Sequence, residues 1–169
     1  MKWINQICNL YDTKESVDGK DISKLFEKTT IYIVPMVNPD GIELQIKGLS
    51  LGHKNNKNLL KWNNNNSDFS KWKANIRGVD LNRNYRAKWD KCKDIEKELE
   101  IKGPWFEAYA GEYPESEPET MALANYTRQQ CFDMVLSYHT QGRVIYWTFD
   151  NIAIPGAEKM GRELARVSG

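Results

Sequence analysis

Asp133-Met134-Val135-Leu136-Ser137-Tyr138-His139-Thr140-Gln141-Gly142 is an apolar run that carries a histidine at its end and a glycine just beyond. Its length and apolar density predict a short buried strand, one that delivers His139 to the carboxyl edge of a sheet, where open α/β folds place their ligands. A histidine there suits a metal. Taken alone, a strand-end histidine held by a structural hydrogen bond is the commoner outcome.

Reading back from this stretch, Pro114-Glu115-Ser116-Glu117-Pro118-Glu119-Thr120 marks a helix start. Ser116 is the predicted cap, Glu119 completes a capping box, and Pro118 falls in the first turn, where its missing N–H costs nothing. The helix is expected to reach about Gln130. Reading forward, Arg143-Val144-Ile145-Tyr146-Trp147-Thr148 predicts another strand, and Pro155 opens a helix striped with Ala157, Met160, Leu164 and Val167. That stripe needs a sheet to cover.

Nearer the beginning, Trp3, Ile4, Ile7, Leu10 and Tyr11 share one helical face over residues 2–12, and a short helix is expected from Asp21 to Lys28. The β-branched run 30–37 predicts a strand, with Pro35 placing it near an edge. Asn38-Pro39-Asp40-Gly41 has turn chemistry. Gly48 to about Lys71 is asparagine-rich and predicts a long surface loop with a short helix around 59–62, leaving His53 exposed to solvent. Asp90 to Glu100 alternates in charge and predicts a solvated helix. The alternation of strand and helix predicts an α/β sandwich with a mostly buried sheet.

Composition excludes several function classes. The chain has 169 residues, 40% hydrophobic and 28% charged, with a formal net charge of +1. No basic or acidic block offers a surface for nucleic acid or an anionic membrane. No run of about 18 apolar residues predicts a membrane segment. Met1 is followed by an amphipathic stretch, not by the charged head and apolar core of an export signal. Cys8, Cys92 and Cys131 are odd in number and widely spaced, so free thiols are expected.

One cluster has the chemistry of a site. Lys73-Ala74-Asn75-Ile76-Arg77-Gly78-Val79-Asp80-Leu81-Asn82-Arg83-Asn84-Tyr85 gathers cations and amides around one carboxylate. A planar arginine between two asparagines is suited to gripping a substrate carboxylate, although an ordinary polar loop has the same ingredients.

Asn38-Pro39-Asp40-Gly41, Gly78 to Tyr85, Ser116 to Thr120 and Ser137 to Gly142 occur in the order and approximate spacing of the zinc metallocarboxypeptidases. The chain resembles the central part of that family over roughly residues 1–168. Within it, the Trp72-Lys73-Ala74-Asn75 and Tyr138-His139-Thr140-Gln141-Gly142 wording is most similar to the bacterial γ-D-glutamyl-meso-diaminopimelate peptidases. The resemblance implies a three-layer α/β/α sandwich with a mixed, largely buried sheet, incomplete at both ends, so that residues 1–169 form a single partial catalytic domain. It implies a Zn2+ cofactor with His139 as third ligand, and Arg83 and Asn82 as the grip on a peptide's free C-terminal carboxylate. Lys73 stands where most members have an arginine that polarises the scissile carbonyl, and Arg77 is the substitute candidate for that task.

The same resemblance places the other two zinc ligands, a His-x-x-Glu element, before Met1, and the general-base glutamate after Gly169. Glu117 and Glu119 then read as helix-start acids. The implied activity is hydrolysis of a peptide or isopeptide bond in cell-wall stem peptides, with this chain inactive by itself. A general C-terminal carboxypeptidase and a non-catalytic remnant that binds peptide tails remain open as alternatives.

Overall fold

The computed structural model describes residues 2–17, 19–49, 56–140 and 142–168. The expectation for His53 falls outside them. The chain divides into two compact units, Met1–Cys131 and Phe132–Gly169, and each is described by itself.

The first unit opens with helix α1 (Lys2–Thr13), a two-residue hairpin of β1 (Ser16–Val17) and β2 (Lys20–Asp21), and helix α2 (Ile22–Phe26). Asp21 caps α2 by accepting the amide of Ser23. Tyr11 and Phe26 join the two helices through an edge-to-face contact at 5.8 Å. Residues 30–37 join no β-ladder, contrary to the expected strand. A strand exists only with a neighbour that takes its backbone hydrogen bonds. Here Ile33, Val34 and Met36 are exposed, and Tyr32 packs edge-on against Tyr126.

Asn38-Pro39-Asp40-Gly41 is not a free turn but the start of helix α3 (Pro39–Lys47). The same chemistry serves both: Asn38 accepts the amide of Gly41 through Oδ1, and Pro39 occupies the first helical position. Gly41 is helical, so its role is room and not a positive backbone angle. A Cβ there would lie 2.3 Å from the Ala74 carbonyl oxygen.

Helix α3 delivers Leu44 to a core of Leu59, Phe69, Trp72 and Ala74. Leu59 comes from helix α4 (Asn56–Trp62) and is fully buried. The short helix expected around 59–62 is therefore present, and it walls the core where a surface loop was expected. The asparagines after it have local work: Asn64 and Asn65 take left-handed φ of 55° and 56°, a region asparagine tolerates. Asn63 binds the carbonyls of Asn66 and Asp68.

Helix α5 (Trp89–Glu98) fits the expected charged helix except at Glu96, which is buried. Helix α6 (Pro118–Gln129) completes the unit. In the second unit residues 132–140 join no ladder, and the strand expected at 143–148 is confined to a hairpin of β3 (Thr148–Phe149) and β4 (Ile152–Ala153). Helix α7 (Ala157–Ser168) follows. Its Gly161 sits against Trp147, where an added Cβ would come within 3.2 Å of the indole, and Arg162 stacks over the same ring at 6.0 Å. Helices and small hairpins together are consistent with an α/β fold.

Candidate functional site

The residues singled out between Lys73 and Arg83 lie on one loop braced against residues 105–110. The amides of Lys73 and Ala74 both donate to the Phe106 carbonyl, Trp105 N–H donates to Gly78, and Asp80 N–H to Tyr109. The loop turns tightly around the carboxamide of Asn75, whose Oδ1 accepts the amides of Arg77 at 3.0 Å and Val79 at 3.1 Å. Gly78 closes the turn with φ +75°, and a Cβ there would meet Pro104 at 2.8 Å.

Asp80 is buried and caps the short 3-10 turn Leu81–Arg83 through the amide of Asn82, while its other oxygen accepts from Ala108. Burial pushes its carboxyl above the ordinary carboxylate range, against the opposing pull of the Ala108 hydrogen bond and the Arg83 charge. The turn leaves Asn82 exposed and Arg83 half-buried. Directly after it, the fully buried Asn84 acts as a bracket. Its amide group donates to Ala110, Tyr113 and Ser116, and its oxygen accepts from the Glu117 amide and the Thr120 hydroxyl. Asn84 thereby caps helix α6 from a distance. The expected capping box is not formed, because Glu117 is the cap position and the Ser116 hydroxyl bonds to the Glu117 carboxylate instead.

Glu117 is more than a helix-start acid. Its side chain is 2% exposed, accepts from Asn75 Nδ2 at 2.7 Å and faces Arg77 Nε at 3.4 Å. Glu119 shares the same amide donor through Oε1 at 3.4 Å, and its Oε2 is buried with no hydrogen-bond partner. Lys73 pairs with Glu107 at 3.0 Å, both side chains being half-exposed. The first unit thus contains Lys73, Arg77, Asn82 and Arg83 on one loop. His139 belongs to the second unit and is exposed there.

Sequence reasoning missed Asn75, Asn84 and Glu117. The available signal was Asn75 with Gly78 three residues on, the pattern of a tight turn, and more acids before α6 than a cap requires. Beyond the site, the thiols of Cys8, Cys92 and Cys131 are free. Among the described residues no helix is long and apolar enough to cross a membrane.

Among the same residues, no group of three or more His, Cys, Asp or Glu side chains could hold a metal ion. His139 supplies one imidazole, whereas a hydrolytic zinc needs three protein ligands and an open position. The residues present do not fit a zinc ion by themselves.

Comparison with known proteins follows this geometry. Residues 1–167 match the zinc carboxypeptidase family Peptidase_M14. The whole chain is 41% identical to gamma-D-glutamyl-L-diamino acid endopeptidase 1 of Lysinibacillus sphaericus, covering 42% of that protein. It is 31% identical, again over its whole length, to the uncharacterized protein YqgT of Bacillus subtilis (strain 168), covering 44% of it. Over 154 residues, or 88% of the chain, it is 30% identical to human carboxypeptidase A6, covering 31% of that protein. The chain spans less than half the length of these relatives. No solved structure matches it. With the match running from the first helix to the last, through the Asn75–Arg83 loop and its Asn84 bracket, the chain belongs to the zinc carboxypeptidase family.

Proposed function

We propose that residues 1–169 are part of one catalytic domain, a three-layer α/β/α sandwich, of a metallopeptidase that hydrolyses a peptide or isopeptide bond near a free C-terminus in cell-wall stem peptides of the γ-D-glutamyl-diaminopimelate type. The observation that carries the reading is 41% identity over the whole chain to a γ-D-glutamyl-L-diamino acid endopeptidase. In this reading Arg83 offers its planar fork to the substrate's terminal carboxylate, and Asn82 adds an amide donor beside it. Support comes from how the turn is held: Asp80 and Asn84 fix the backbone on both sides of it, so the guanidinium starts from an ordered base.

Lys73 is the candidate for the developing oxyanion. It precedes the anchored Ala74–Asn75 segment, and among the described residues its ion pair is with a half-exposed glutamate, which substrate can displace at little cost. Arg77 is less available, because its Nε faces the buried Glu117. His139 is the candidate zinc ligand, and the remaining ligands and the base come from outside these residues. A general C-terminal carboxypeptidase would use the same grip on plain L-peptides.

Titrating the 169-residue chain with L-alanyl-γ-D-glutamyl-meso-diaminopimelate, as the free acid and as the C-terminal amide, tests the grip. The free acid is expected to bind about tenfold or more tightly than the amide, with the difference abolished in Arg83→Ala. Equal binding of acid and amide by the wild-type chain would overturn the assignment. With zinc supplied, the chain alone is expected to leave the peptide intact.

A further inference from the structure

A cavity of about 90 Å³ lies beside the Asn75–Val79 turn, and it is lined by both signs of charge. Arg77 and Glu112 reach it, together with Tyr109, Tyr113, Val79 and the buried Glu117. Arg77 faces Glu117 with Nε as its nearest nitrogen, and the guanidinium donates no hydrogen bond among the described residues. Glu112 is exposed and likewise enters no hydrogen bond or ion pair among them. A guanidinium with hydrogen-bonding capacity to spare and a carboxylate outside its ion pair therefore border one small polar space.

We propose that this cavity receives the distal, zwitterionic end of a diamino acid, its carboxylate on the Arg77 fork and its ammonium on Glu112. The inference rests on the peptidase reading above and deepens it, because such a substrate has two amino-acid ends. Arg83 would hold the end that carries the peptide's terminal carboxylate, and the other end, joined by a short polymethylene spacer, needs its own pair of opposite charges.

Three features support the match. A carboxylate meets the planar fork through two parallel hydrogen bonds, which a point charge cannot offer. The two recognition elements share one backbone: Val79 lines the cavity, and Asp80, next in the chain, caps the turn that bears Asn82 and Arg83. Finally, the negative field reaches the cavity wall. The Tyr109 hydroxyl is pushed above its ordinary range by burial and then by Glu96, Glu112 and Glu117, a field that also favours an ammonium. Arg77 becomes a specificity residue in this account, leaving Lys73 for the oxyanion.

Calorimetric titration of the full 169-residue chain with three peptides tests the proposal: L-alanyl-γ-D-glutamyl followed by meso-diaminopimelate, by L-lysine or by L-norleucine. Lysine lacks the distal carboxylate, and norleucine lacks both charges. Affinity is expected to fall about tenfold at each step. Glu112→Gln, on the surface, should erase the lysine-over-norleucine difference. Arg77→Gln should erase the diaminopimelate-over-lysine difference, and Arg77→Lys, which keeps the charge facing Glu117 but not the fork, should retain only part of it. The Arg83-dependent preference for a free C-terminus should persist in all three variants. If the wild-type chain binds the diaminopimelate and norleucine peptides within about twofold while Arg83 dependence is intact, the cavity assignment falls and the peptidase reading stands. If it binds none of the three, both fall.

Discussion

Asn84 satisfies five polar groups from a single buried side chain, three as donor and two as acceptor. Truncation to alanine leaves the Glu117 amide without this partner in the interior, whereas the carbonyls of Ala110 and Tyr113 keep the Trp89 indole N–H and the Ser116 amide. Leaving a buried amide unpaired costs about 1–3 kcal/mol. Asn84→Ala is therefore expected to lower stability by about 2 kcal/mol or more, read as a shift of the urea midpoint at constant slope. Asn84→Asp keeps an acceptor but brings a carboxylate against three oxygens, and it should do no better. At this scale the sequence named candidates by the chemistry of their side chains and was a poor guide to which residues hold them in place. Asn82 and Arg83 could be picked out because a planar cation beside amides has a recognisable use. Asn84 could not, since a bracketing amide differs from a solvated one only in what surrounds it, and those partners lie 26 to 36 positions away.

Helix α6 and the loop before it show how an element is secured from outside itself. Glu115, with φ +61°, accepts from Arg128 near the end of the helix through both guanidinium nitrogens, one of them at 3.0 Å. The Arg128 hydrogen bond holds the Glu115 carboxyl below its ordinary 4.5. A lowered folded pKa contributes stability that is present above the unfolded value and lost as pH falls through the folded one. The stability gap between wild type and Arg128→Met is thus expected at neutral pH and should close as the solution is acidified below Glu115's folded pKa, measured by urea melts across pH. Most helices were legible because amphipathic periodicity is local, but α3 was missed because its start was read as a turn. The residue that caps α6 was misread, since Ser116 has the right chemistry for a cap but is engaged by Asn84 and Glu117. The runs at 30–37 and 132–140 were read as strands from their β-branched and aromatic content. Content sets what a segment can pair with, and no ladder partner lies among the described residues.

Across the whole molecule, burial is unevenly shared between the units. The first has a core of Leu44, Leu59, Phe69, Trp72 and Ala74. In the second, Gly161 is the only residue buried among those described, and Met160 and Val167 of the α7 stripe are exposed. A unit with so little apolar surface removed from water has little to offset its chain entropy. Hydrogen exchange should therefore show strong protection at the amides of Asn75, Asp80 and Asn84, with residues 132–140 and 142–147 exchanging near the rate of an unfolded chain. Equal protection in both units would contradict this division. Composition and element order conveyed the class of fold, but the partition of burial depends on tertiary partners that local pattern does not encode.

The bracket at Asn84 also bears on the ionic milieu. Its donors and acceptors are amides, hydroxyls and carbonyls, none of which attracts a counterion atmosphere. Surface pairs such as Lys47–Glu43 and Lys97–Asp94 weaken as the Debye length shrinks, but the Asn84 bracket has no such dependence. Brine would thin out the surface pairs while leaving the backbone on either side of this asparagine in the same shape.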